Sequence, residues 1–251
     1  MKRPAGDGPG ISRETSARLN VLAAEYDLPA SGVTVLTSVL ALQATDPTAS
    51  TTVRDPADAV DRHVADSLSA LTLSEVREAR RIADIGSGAG WPGLALAAAL
   101  PDAEVFLVES ATRHCRYLER AAAEAGLANV AVVHARAEAW PDGIGAHDLV
   151  TARALAALPV LCEYAAPLLE EGGALVAWKG AVGAAELADG AAAAEILGLA
   201  PSEPRRVVPY AGARDHTLHV FRKIAPTPDR FPRRPGIATK RPLSVKALHQ
   251  H

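Results

Sequence analysis

Ten residues, Asp84-Ile85-Gly86-Ser87-Gly88-Ala89-Gly90-Trp91-Pro92-Gly93, carry the most distinctive chemistry in the chain. A short apolar run (81–85) precedes them and an apolar segment (94–100) follows, so the glycines join a predicted strand to a predicted helix. Glycine lets the backbone turn sharply and approach a ligand closely, and open α/β sheets bind nucleosides outside the carboxyl ends of their strands. The spacing is G-x-G-x-G, unlike the G-x-G-x-x-G of dinucleotide sites. Glu109 lies 23 residues after Gly86, at the end of the next predicted strand. A carboxylate there accepts hydrogen bonds from both hydroxyls of a ribose. Gly86, Gly88, Trp91 and Glu109 are therefore candidates for a nucleoside site.

The elements that must position these residues follow from the hydrophobic pattern. Predicted strands 81–85, 104–109, 129–135, 148–152 and 174–178 alternate with predicted helices 94–100, 112–125, 158–169 and 184–197 through short links, the pattern of a parallel sheet covered on both faces. Two further β-rich segments, 206–210 and 216–224, are separated by a turn at Gly212 and form a hairpin at the sheet edge. The expectation is a seven-stranded, mostly parallel α/β sheet with one reversed strand. Ahead of it, predicted helices 12–26, 33–42 and 57–71 make an N-terminal helical cap (11–75), the last started by Asp55-Pro56. Residues 1–10 read as a loose leader, 76–224 as the sheet domain and 225–251 as a Pro-rich tail, extended and non-helical.

The chain has 251 residues, 49% hydrophobic and 22% charged, which suits a globular fold with a substantial core and excludes a disordered or collagen-like chain. No apolar run is long enough to span a membrane, and no secretory signal is evident. Cys115 and Cys162 make no disulfide framework, so a reduced, cytoplasmic setting is expected. The net charge of −3 conceals an asymmetry: residues 222–251 hold eight basic residues against one acid, Asp229, a net +7 that leaves −10 on residues 1–221. A basic tail on an acidic body suits contact with a polyanion. The eight histidines show no metal-ligand spacing, and no metal is expected.

Loop, acid and strand order resemble the class I (Rossmann-like) S-adenosylmethionine-dependent methyltransferases. In such folds the residues closing the third strand flank the adenine, which makes Ala137 and Glu138 cofactor candidates. Further segments narrow the resemblance: Thr51-Thr52-Val53-Arg54-Asp55-Pro56, Arg62-His63-Val64-Ala65-Asp66-Ser67-Leu68, Thr151-Ala152-Arg153-Ala154, Trp178-Lys179-Gly180, Phe231-Pro232-Arg233-Arg234-Pro235-Gly236 and Lys240-Arg241-Pro242-Leu243. In this order they are similar to the glucose-inhibited division protein B (RsmG) family over about Thr51 to Leu243. Departures are Ala49-Ser50 ahead of Thr51, Trp91 where a smaller aliphatic residue is common, and Trp178 where Leu is usual.

The resemblance implies methylation of N7 of one guanine in bacterial small-subunit (16S) ribosomal RNA, with S-adenosyl-L-methionine as cofactor and that RNA or a small-subunit assembly intermediate as partner; a monomer is expected. Guanine N7 carries a free lone pair, so no general base is required and no catalytic base is named. His63 and Asp66, three apart on a predicted helix, order the cap against the pocket or touch RNA. Arg153 is placed with the cofactor set. Arg62, His63, Lys179, Arg233, Arg234 and Lys240 form the expected RNA-binding set, with Arg54 and Arg136 extending the basic rim. Deleting 231–251 is expected to weaken RNA binding and spare cofactor binding. Two rival readings are a class I methyltransferase acting on a small molecule, and a non-catalytic RNA-binding module of the same fold.

Overall fold

The computed structural model describes residues 10–245. Residues 1–9 of the expected leader, and Lys246 with the last residues of the tail, lie outside that range.

The described residues begin with two helices, the first of them capped by a side chain. Ser12 Oγ accepts the Thr15 amide at 3.1 Å to begin α1 (Arg13–Glu25), a contact worth about 1 kcal/mol. α2 (Gly32–Thr45) follows. Asp55 Oδ1 accepts the Ala57 amide at 2.9 Å and Pro56 occupies the first turn of α3 (Pro56–Ala59). The single helix expected over 57–71 is continuous but irregular. Val60–Ala65 is wound as a π-helix, with the Asp66 amide reaching back to Asp61 O, before α4 (Asp66–Leu68), a 3-10 turn at Ser69–Thr72 and α5 (Ser74–Arg77). π segments are rare and concentrate at functional sites.

The sheet has eight strands: β1 (Arg81–Ile85), β2 (Glu104–Glu109), β3 (Val130–His134), β4 (His147–Arg153), β5 (Leu169–Lys179), β6 (Leu199–Pro201), β7 (Arg205–Val207) and β8 (His216–Lys223). Their order is β3-β2-β1-β4-β5-β8-β6, with β7 also paired to β8. Strands β1 to β5 pair in parallel, and β8 runs antiparallel to β5, β6 and β7. The expected reversed strand is therefore β8. The eighth strand, beyond the seven expected, is the short β6, whose Leu-Ala-Pro carries too few residues to show a strand period.

Helices α6 (Gly93–Ala99) and α7 (Thr112–Glu124) cover one face, α8 (Leu158–Ala165) and α9 (Ala184–Leu197) the other. The N-terminal helices join the first layer: Leu19, Leu22, Leu36 and Leu68 are buried in one cluster with Leu94, Leu107 and Tyr117. The tail joins the second layer, contrary to the wholly extended segment expected. Phe231, Ala238 and Leu243 are buried beside Leu161 and Leu168, and Ile237–Lys240 forms a short helix, α10. Arg233 makes a bidentate pair with the buried carboxylate of Glu163 on α8. Lys223 is buried against Leu197 O, and Arg222 pairs with Glu75 at 2.6 Å. Three of the eight basic residues behind the +7 figure thus hold the body together. Among the described residues no helix is long and apolar enough to cross a membrane, and no cluster of His, Cys, Asp or Glu could hold a metal.

Candidate active site

The carboxyl ends of β1, β2 and β4 and the loop before α3 enclose a cavity of about 860 Å³. Its floor is the glycine loop. Gly86 has φ +69, a left-handed conformation that calls for glycine. Gly88, at φ +55, turns its N–H to Glu109 Oε2 at 3.1 Å, and the Ala111 N–H reaches Oε1 at 2.8 Å. The Glu109 carboxylate is buried and fixed by these two amides, with further lone pairs available to hydroxyl donors. These residues fit a ribose.

Asp84 holds the loop from beneath. It accepts Thr151 Oγ1 at 2.8 Å and the Gly93 amide at 3.3 Å. Burial pushes its carboxyl up to about 6, and the bonds from Thr151, Ser87 and Gly93 oppose that rise. The opposite wall comes from the loop of residues 47–54 and from His63 in the π segment, backed by α2. Trp91, buried, donates Nε1–H to Gln43 Oε1 at 2.6 Å, and Gln43 Nε2 donates to Val53 O at 2.9 Å. The His63 ring stacks on Trp91 with centroids 5.8 Å apart. At the third-strand end, Ala137 and Glu138 line the cavity, and Glu138 Oε1 accepts the Gly236 amide of the tail at 3.1 Å.

A second cavity, about 390 Å³, opens beside the first and shares Val53, His63, Arg153 and Ala154 with it. A polar chain runs through the shared wall. His216 Nδ1 lies 2.8 Å from Asp66 Oδ1, Arg153 NH1 donates to Asp66 Oδ2 at 2.8 Å, Arg153 NH2 lies 2.9 Å from His63 Nδ1, and His63 Nε2 lies 3.0 Å from Thr51 Oγ1. A guanidinium only donates, so His63 Nδ1 is the acceptor and its proton sits on Nε2, facing Thr51. Burial and the Arg153 charge push the imidazole down to about 3, which keeps it uncharged. Ala154 then leaves β4 at φ +53, a left-handed turn that costs a non-glycine residue about 1 kcal/mol.

The family description "rRNA small subunit methyltransferase G" (GidB) matches residues 43–208. A ribosomal RNA small subunit methyltransferase G of Rubrobacter xylanophilus is 41% identical over 196 residues, covering 76% of this chain and 75% of the relative. One of Desulfitobacterium hafniense is 38% identical, covering 77% and 81%. The chain belongs to the GidB family. Among solved structures, the S-adenosylmethionine-dependent methyltransferase SibL in its apo form superposes with a TM-score of 0.52 at 17% identity, covering 63% of this chain and 55% of that one. That likeness concerns the fold, and it agrees with the class I arrangement of the GidB sheet.

The residues expected around a cofactor in this GidB chain come together: Gly86, Gly88, Trp91, Glu109, Ala137, Glu138 and Arg153 all line the first cavity. Arg153 lies at its boundary, committed to Asp66 and His63. The expected RNA set is scattered. Arg62, Arg234 and Lys240 are exposed. Lys179 lines the second cavity and pairs with Glu186 at 2.7 Å. His63 lines both cavities, with its two ring nitrogens taken up by Arg153 and Thr51. Arg233 is a correction: its guanidinium is bound to Glu163 and to Arg241 O, which leaves it a structural residue of the tail. Arg54 likewise donates to the carbonyls of Asp46 and Ala49, tying down the loop before α3. The roles of Gln43 and His216 were missed in the sequence, because the bonds that place them, Gln43 with Trp91 and His216 with Asp66, span 48 and 150 residues.

Proposed function

We propose that this chain transfers a methyl group from S-adenosyl-L-methionine to N7 of a guanine in bacterial small-subunit (16S) ribosomal RNA, in the cytoplasm and as a monomer. The observation that carries the reading is Glu109, pinned by the Gly88 and Ala111 amides at the floor of the glycine-lined cavity of a GidB-family chain. When bound, the cofactor supplies a methyl carbon made electrophilic by sulfonium.

The protein's own residues bind and orient. Glu109 accepts the ribose hydroxyls, Gly86 and Gly88 bring backbone close to the methionine end, and Ala137 with Glu138 flanks the adenine. Trp91, held by Gln43, and the uncharged His63 close the wall against water, so that alignment of the reacting atoms supplies the rate. Gly86, Gly88 and Glu109 would hold the cofactor so that its methyl group is presented to guanine N7, whose free lone pair would accept it. No proton leaves, so no general base is needed. Arg62, Lys179, Arg234 and Lys240 take RNA phosphates, and counterion release makes that binding salt-dependent.

The test is to map N7-methylguanine in ribosomal RNA from cells with and without the gene. A single methylated guanine lost on deletion is expected; unchanged methylation refutes the reading.

A further inference from the structure

The second cavity shares the end of β4 with the nucleoside cavity and adds the ends of β5, β7 and β8, which the nucleoside cavity does not use. Ala156 follows β4, Trp178, Lys179 and Gly180 close β5, Val207 closes β7, and His216 and Thr217 open β8. Its walls are prearranged. The Trp178 indole is fixed by a 2.9 Å bond from Nε1 to Asp66 O and presents a buried apolar surface. His216 is oriented from two sides: Asp66 Oδ1 at 2.8 Å on Nδ1, and the Tyr210 ring edge-on with centroids 5.7 Å apart. Because the carboxylate only accepts, Nδ1 carries the proton, and the free position on the ring is Nε2.

Guanine has two unlike edges. N7 and O6 accept, while N1–H and the 2-amino group donate from the other side of the ring. A base whose N7 faces the wall shared with the nucleoside cavity must turn its donor edge away from that wall. His216 lines the second cavity alone, and in the uncharged ring Nε2 is an acceptor with its tautomer set by Asp66. Resting on the proposed function, we infer that the second cavity receives the acceptor guanine and that His216 Nε2 accepts a hydrogen bond from its donor edge. The Lys179 ammonium and Thr217 hydroxyl on the same walls are donors suited to O6 or the flanking phosphate. Adenine, which presents an acceptor at N1, leaves His216 facing a lone pair and is rejected on that account.

The experiment uses the full chain and small subunits from cells lacking the modification. His216→Ala is expected to lower kcat/KM for the subunit about 10- to 100-fold, the range for a lost hydrogen bond at a desolvated site. Its Kd for S-adenosylmethionine, measured by calorimetry without RNA, stays within about twofold of wild type, which also shows that the variant is folded. Gly180→Trp provides a second arm, since a Cβ there meets nothing nearer than Asp215 O at 3.8 Å. It is expected to block methylation by filling the cavity while sparing cofactor affinity. Unchanged kcat/KM in both variants, or cofactor affinity falling in step with activity, overturns the assignment. If the wild-type chain itself fails to methylate guanine N7, the proposed function falls with it, and that outcome is visible before any variant is compared.

Discussion

Arg153 and Asp66, 87 residues apart in the chain, meet at 2.8 Å between NH1 and Oδ2, and both side chains are largely buried. The contact joins the end of β4 to the helix that begins as a π turn, and so sets the wall between the two cavities. Asp66→Asn keeps the shape and removes the charge. Breaking one half of a buried pair costs about 3–5 kcal/mol. For a chain of this size that lowers Tm by roughly 6–15 °C, read by calorimetric unfolding; an unchanged Tm argues that the pair is not holding the wall.

Glu109→Ala removes a carboxylate fixed at the floor of the first cavity by two backbone amides. A lost charge-assisted hydrogen bond costs about 1.5–3 kcal/mol. Cofactor Kd is therefore expected to rise about 10- to 100-fold by calorimetry. Wild-type affinity in this variant would remove Glu109 from the site.

His63 makes the protein acid-sensitive. Unfolded, it binds a proton near pH 6.5; folded, only near about 3, because burial and then Arg153 disfavour the charge. The folded chain binds fewer protons in that window, so this stability is complete above pH 6.5 and is lost as pH falls, by up to about 1.4 kcal/mol per pH unit. Asp84 has the opposite sign: its carboxyl, raised by burial from 3.8 to about 6, takes up a proton on folding between those values. His63→Gln removes the first contribution and leaves the second. The urea midpoint of wild type is expected to drop more between pH 7.5 and pH 5 than that of the variant, and equal drops contradict the assignment.

Arg233→Met leaves the Glu163 carboxylate buried without its cation. A loss of about 3–5 kcal/mol is expected, together with protease cleavage after Arg234 or Lys240 at concentrations that leave wild type intact. Because Phe231, Ala238 and Leu243 lie in the core, truncation at 231 destabilises the body as well as removing charge, so truncation cannot isolate an RNA contact.

Substituting only the exposed pair, Arg234→Ala with Lys240→Ala, separates the two effects. The slope of log affinity for the RNA against log salt is expected to fall by roughly 1 to 2, with Tm unchanged. A constant slope removes both residues from the interface.

Much of this arrangement is legible in the chain. Gly86, Gly88 and Glu109 stand at spacings tied to strand ends, and the alternation of strands and helices places those ends together. The partners of Arg153 are less legible: a run of Arg-His-x-x-Asp shows that the residues exist, yet the π turn that aims Asp66 at both Arg153 and His216 has no sequence period of its own. The tail illustrates the opposite difficulty. Its prolines and positive charge are those of a solvated strap, while three apolar residues and one arginine, too sparse to form a pattern, decide that it docks.

That docking has a bearing on the cavity itself. Gly236 supplies its amide to Glu138, and Thr239 Oγ1 lies 3.0 Å from the Tyr164 hydroxyl; Glu138 and Tyr164 both line the nucleoside cavity. These contacts span 98 and 75 residues of sequence, so the strap and the cavity wall are held to each other and not to their own neighbours. Undocking the strap would leave the sheet and the glycine loop in place while Glu138 and Tyr164 lose these contacts. Whatever loosens the strap therefore loosens one end of the nucleoside cavity.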